Sequence, residues 1–308
     1  MRGALLVTAL AACGARGPGI DRERAAATFT RVTVDTGGDH GLSGLAVDAD
    51  GTLWTVAERG AVALAITLDG DRTTVVRHAV RGVPADEDLE AVAMAADGLW
   101  VGTEGRERGV ARVFHLTRQG DALVATGAPI ELRQAEVGVD VGANHGAEGV
   151  CRAGDVVAIA LETAGGRGAA RWAPVISVDV ARGTRRVQRV ALTTTTGKLS
   201  ALDCWRDGAR TWAVAVERHF AVTRLLRFEL GGADATITPE VLLDLGPILR
   251  GSLNLEGLVR LPDGRLVAVV DNQYRTITGP DELLVFRAPP TSAPWLTDRS
   301  ATPGSAGR

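Results

Sequence analysis

The chain has 308 residues, is 45% hydrophobic and carries a formal net charge of −3. That length and apolar content suffice for one large domain or two ordinary ones. The charge balance leaves no electrostatic footprint for nucleic acid, and no segment is long and apolar enough to span a membrane as a helix.

The N-terminus reads as an export signal. Met1-Arg2-Gly3 is a short basic start, and Ala4 to Ala12 is an apolar run. Together they fit a secretory leader over residues 1–12. Leu10-Ala11-Ala12-Cys13 is similar to a bacterial lipobox, so Cys13 is the expected lipidation site. The expectation is an exported cell-envelope lipoprotein, periplasmic or outer-membrane-anchored, that reaches the membrane only through Cys13. A secreted protein with an incidental cysteine is the alternative. Residues 13–27 read as a flexible tether, and Thr28 to Val34 alternates as a strand does.

Five copies of one pattern follow. They run from Ser43 to Glu58, Glu90 to Glu104, Glu148 to Glu162, Ser200 to Glu217 and Glu256 to Asp271. Their starts at 43, 90, 148, 200 and 256 lie 47, 58, 52 and 56 residues apart. Each copy is a Ser or Glu, an apolar alternating run, a turn, a second apolar run and an acid. Asp50-Gly51, Asp97-Gly98, Gly154-Asp155, Asp207-Gly208 and Asp263-Gly264 mark the turns. Asp-Gly between alternating runs is a strong hairpin signal, because glycine accepts positive φ. A strand-built repeat of this period predicts an all-β fold, a single β-propeller over residues 28–288. Five blades fit the span, with six as the alternative. Leu283 to Phe286 supplies a late strand, and the N-terminal strand is expected to complete that blade and close the ring. Residues 289–308, rich in Pro, Ser and Thr, read as a disordered tail.

A hairpin folded at its midpoint brings its ends together. Glu90 is therefore expected opposite Glu104, Glu148 opposite Glu162, and Glu256 opposite Asp271. All five hairpins point the same way, which predicts an acidic rim that also holds Glu58 and Glu217. Glu90, Glu148, Glu256, Asp271, Asn144, Asn254 and Asn272 offer oxygen ligands suited to Ca²⁺ or another divalent cation. The competing account pairs these acids with Arg59, Arg106, Arg218 and Arg275. So many buried carboxylates need some such compensation. His40 and His145 each stand three residues before a repeat, and His219 follows Glu217 by two. A rim histidine among carboxylates suits general acid–base work, so these three are the candidate catalytic residues. Ser43 and Ser200 stand where other copies have Glu, so they read as positional. Lys198, the only lysine, reads as a product of base composition. Cys151 and Cys204 lie in the first strands of copies three and four, where a disulfide and two buried thiols are equally open.

At these residues the chain resembles the phytase-like family, also called esterase-like activity of phytase. The matching pieces are HGLSGLAVDADGTLWTVAERG from His40, DLEAVAMAADGLWVGTEG from Asp88, HGAEGVCRAGDVVAIALE from His145, NLEGLVRLPDGRLVAVVDNQ from Asn254 and GPDELLVFRA from Gly279. The likeness spans most of residues 38–287. It implies a propeller, export and hydrolase activity. The fourth copy departs from it, with Ser200-Ala201 where Glu-Gly is usual. Two functions follow as expectations. One is a monomeric metal-dependent hydrolase acting on a small phosphate or carboxylic ester. The other is a non-catalytic surface propeller that binds a ligand or protein partner. A sugar or lactone hydrolase with the same metal centre is a lesser variant of the first.

Overall fold

The computed structural model describes residues 22–142, 145–219, 222–232, 235–249, 253–272 and 280–287. The expected signal segment, Cys13, Asn144, Arg275 and the tail from 289 lie outside these residues. Each sequence repeat supplies the two innermost strands of one antiparallel unit. The innermost strands are Leu42–Val47, Glu87–Met94, Ala147–Ala153, Lys198–Asp207 and Asn254–Arg260. Each packs against the next, and the fifth packs back against the first. The result is a ring of radiating sheets, the β-propeller that the repeat predicts.

Four of the five turn glycines bend as the sequence asks, while Gly98 opens the strand Gly98–Gly105 without positive φ, where the Leu116 carbonyl leaves no room for a Cβ. Gly51, Gly154, Gly208 and Gly264 have φ of 86°, 65°, 57° and 89°. Ring closure also follows expectation. Phe29–Val34 pairs antiparallel with Asp281–Phe286, from Phe29 opposite Phe286 to Val34 opposite Asp281. The last unit is thus built from both ends of the described chain, with Phe29–Val34 as its outermost strand covering the edge of Asp281–Phe286. The first two units are further joined by a parallel pairing, Ala79 with Ala122.

The tether reading fails over its last residues. Arg22–Thr28 is a helix. Its Ala25 is buried in a cluster with Phe29, Leu249 and Phe286, so apolar packing overrides the loop-like composition.

The inner strands approach unusually closely. Each carries a register shift near its start: between Ser43 and Ala46, Leu89 and Ala91, Ala147 and Gly149, Leu199 and Ala201, and Leu255 and Gly257. A bulge sets two residues opposite one and re-aims a side chain. Just beyond it the neighbouring strand touches the backbone. A Cβ on Gly257 would lie 2.6 Å from the Gly44 carbonyl carbon, and one on Gly149 would lie 2.9 Å from the Leu202 Cβ. That is why Glu-Gly recurs. The neck formed by Gly44, Ala91, Gly149, Ala201 and Gly257 has no room for water. Ser43 and Ser200 hold the same layer together. Ser43 Oγ donates to the Glu90 carbonyl at 2.5 Å, and Ser200 Oγ to the Leu255 carbonyl at 2.7 Å.

Beyond the neck, on the face away from the acids, Cys151 and Cys204 form a disulfide with a Cα–Cα distance of 5.6 Å. It ties the third inner strand to the fourth across 53 residues of chain. A closed loop of that length contributes about 4 kcal/mol by chain entropy. Cys204→Ser is expected to lower unfolding free energy by about that amount in urea. An unchanged urea midpoint would show that the ring closes without it.

Candidate functional site

The bulges decide where the acids point. Glu90, Glu148 and Glu256 each occupy the extra position of their strand, so none pairs across its hairpin as the sequence predicts. The residue opposite Glu104 is Asp88, the residue opposite Asp271 is Asn254, and Leu161, not Glu162, stands opposite Ala147. The three bulge glutamates are buried and directed into the mouth of the ring. Their neighbours come from other repeats instead. Glu104, Glu148 and Glu162 each place a carboxylate oxygen within 4.8 Å of the other two. Glu104 is brought there by repeat two, the others by repeat three.

Two cations enter from the fourth repeat. Lys198 forms an ion pair with Glu162. Arg218 pairs with Glu256, its Nε donating to Oε2 at 3.1 Å. Asn254 Nδ2 donates to Glu256 Oε1 and to Asp271 Oδ2, both at 2.8 Å. Glu256, Asp271 and Asn254, three members of the predicted ligand set, are therefore engaged with one another and with Arg218. No hydrogen bond reaches the Glu90 or Glu148 carboxyl among the described residues.

The electrostatics record the shortfall of positive charge. Burial, then Asp271 and Glu256, pushes Glu58 up to about 8. Burial, then Glu256, pushes Glu148 up to about 8 against the opposing pull of Arg218 and Lys198. Burial, then Glu148, Glu58 and Glu104, raises Glu90 well above the usual carboxyl range. A carboxyl in this state holds a proton or recruits a cation. The donors are all hard oxygens, which suits Ca²⁺ or a similar ion. The residues present therefore fit a divalent cation best at Glu104, Glu148 and Glu162.

The other predicted residues fall elsewhere. Glu217 is fully buried and accepts from the Thr193 and Thr194 backbone amides, both at 3.0 Å, and from both hydroxyls. It secures a loop and does not open to the mouth. His40 Nδ1 lies 3.6 Å from Asp281 Oδ2. Asn272 Nδ2 donates to Asp281 Oδ1 at 2.7 Å, and Asn272 Oδ1 accepts from the Gly41 amide at 3.2 Å. His145 precedes Gly146, whose Cβ would lie 2.7 Å from that of Glu104. His145 is thus one residue from the backbone that packs on Glu104. Burial, then Lys198, Arg171 and Arg218, lowers His219. Sequence reasoning missed Lys198. Its signal was a lone lysine two residues ahead of Ser200, just before one of the two repeats that start with Ser in place of Glu.

A family model described as Phytase-like, esterase-like activity of phytase, matches residues 39–274. The chain belongs to the phytase-like family. No curated protein matches it. Among solved structures, a luciferin-regenerating enzyme is similar with a TM-score of 0.52 at 10% identity, covering 84% of this chain and 95% of that one. The RS223 β-xylosidase is similar with a TM-score of 0.50 at 11% identity, covering 82% and 96%. Both likenesses show this phytase-like chain's fold.

Two outcomes test the charge account. Without divalent cation, carboxyls raised from 4.5 to about 8 leave the folded state binding more protons than the unfolded state in that window. Stability is then full below about pH 4.5 and is lost as pH rises towards 8. The melting temperature of chelated protein should fall from pH 5 to pH 9; a flat or rising profile refutes the buried proton load. Lys198→Met removes a competing ammonium, so calorimetric calcium affinity should rise by about tenfold. An unchanged affinity would place Lys198 outside the cation's field.

Proposed function

We propose that this phytase-like propeller is an exported, metal-dependent hydrolase of phosphate or carboxylic esters, working at the acidic mouth of the ring. The observation that carries the proposal is the convergence of Glu104, Glu148 and Glu162 in a site that is short of positive charge. The family's esterase-like description supports the reaction class. Glu104, Glu148 and Glu162 would hold the ion. A bound divalent cation supplies a polarised ester oxygen and a water of lowered pKa.

The chain's own residues do the rest. Lys198 holds the Glu162 carboxylate in place through their ion pair. Arg218 and Asn254 fix Glu256 in one orientation and keep it from swinging into the triad. The closed neck confines water and substrate to one face. His145, one residue before the Gly146 backbone that packs on Glu104, is the residue assigned to take the proton from the attacking water. His40, held beside Asp281, is the second proton carrier, farther along the rim. Export would proceed through the 1–12 leader with anchoring at Cys13. The Cys151–Cys204 disulfide supports an oxidising compartment.

Phosphomonoesters, aryl esters and lactones offered with calcium, and again with chelator, test the proposal. Turnover that needs the metal is expected. Glu148→Gln should then cost at least about 100-fold in kcat/KM, more than Glu256→Gln, because Arg218 already neutralises Glu256. Metal-independent turnover, or none on any class, would sink this reading and favour a binding propeller.

A further inference from the structure

A cleft of about 660 Å³ opens at the mouth along the seam between the first two units. It is the size of a small-ligand site. Glu104 lines it and also belongs to the acid triad, so cleft and triad share a wall. Its outer part carries Arg59, Arg106 and Arg108, all exposed. Arg59 comes from the end of the first repeat and the other two from the end of the second. The array is therefore invisible in the sequence and exists only once the units stand side by side.

Five acids share the cleft, Glu58, Asp86, Glu87, Asp88 and Glu104, and two of them are withdrawn from this array. Glu87 is buried and spent on Arg112, which bonds its Oε1 at 2.7 Å. Glu58 sits at the inner end, where burial favours its protonated form. Asp88 is the acid that Arg59 and Arg106 both face. Neither Arg106 nor Arg108 forms a salt bridge among the described residues. Guanidinium groups present a planar fork of donors that matches phosphate and carboxylate oxygens.

We propose that this cleft is the substrate-binding site, and that Arg59, Arg106 and Arg108 hold an anionic group of the substrate while its ester reaches Glu104. The proposal rests on the hydrolase reading for its ester, but not for its anion. It selects phosphate- or carboxylate-bearing esters over neutral ones. The anionic group lies outward and the reacting bond inward, so a second charged group on the substrate, distinct from the ester that is cleaved, is the feature recognised.

The test separates anion binding from turnover. Inorganic phosphate and acetate are titrated calorimetrically into the full chain in chelator, so that only the protein's own cations can bind them. The same titrations use the triple variant Arg59→Gln, Arg106→Gln, Arg108→Gln, with its melting temperature measured as a check on folding. Wild type should bind one or both anions, and the variant at least about tenfold more weakly. Phosphate binding alone would identify a phosphate-bearing substrate, and acetate binding alone a carboxylate-bearing one. Either form of the result supports the site. No binding of either anion by wild type, or equal binding by a folded variant, overturns it. If esters are turned over, the ratio of kcat/KM for anionic over neutral esters should also fall about tenfold in the variant. If no ester is turned over, the hydrolase reading fails, and the titrations still decide the anion site.

Discussion

The inner strands meet backbone to backbone at their bulges, and the rest of the site depends on that contact. There is no space there for a side chain beyond glycine or alanine, as the positions Gly44, Ala91, Gly149, Ala201 and Gly257 show. Packing of this kind tolerates no added methylene, because interiors are already close to crystal density. The bulge that makes the approach also turns the preceding residue into the mouth. Backbone geometry and functional side chain are thus specified together by two adjacent letters, Glu-Gly. Where the preceding residue is Ser, its hydroxyl crosses to the next strand, and that unit contributes a bond to the ring in place of a charge.

That substitution makes the ring electrically lopsided. Repeats one to three send carboxyls inward and no lysine. Repeat four sends Lys198 and Arg218, which pair with acids of repeats three and five. A symmetric ring of five glutamates would be a poor site, since like charges at such range protonate one another away. The departure in the fourth repeat relieves part of that repulsion and leaves the remainder concentrated on Glu58, Glu90 and Glu148. The two fixed cations set what remains: Arg218 occupies Glu256, and a divalent cation at the triad would share Glu162 with Lys198.

The sequence made the architecture readable because the repeat is local. Hairpin turns, strand order and closure by Phe29–Val34 all rest on patterns within one copy or on simple arithmetic between copies. The site was only half readable, for two physical reasons. A bulge shifts register by one residue, and alternation counted through the turn cannot detect it, so Glu90 was set opposite Glu104 although Asp88 holds that place. Partners across units are non-local, so the triad, the Lys198 pair and the arginine cleft all needed the fold. Glu217 misled for a different reason. It ends its repeat as the other acids do, but two threonines from the preceding loop reach its carboxylate first.

The two faces of the ring divide the work. On the mouth side, buried carboxyls weaken the folded state whenever they ionise without a partner. On the far side, the neck gives way to a cavity of about 140 Å³ lined by Leu45, Val92, Val150 and the disulfide together with Arg152, Asp203 and Arg260. Covalent closure and apolar packing there offset the charge strain at the mouth without touching it. The disulfide also joins units three and four, the pair between which the charge changes sign from Glu148 and Glu162 to Lys198. The disulfide ties the strand that carries Cys151, three residues after Glu148, to the strand that carries Lys198, so the covalent link and the Lys198–Glu162 pair join the same two units from opposite faces.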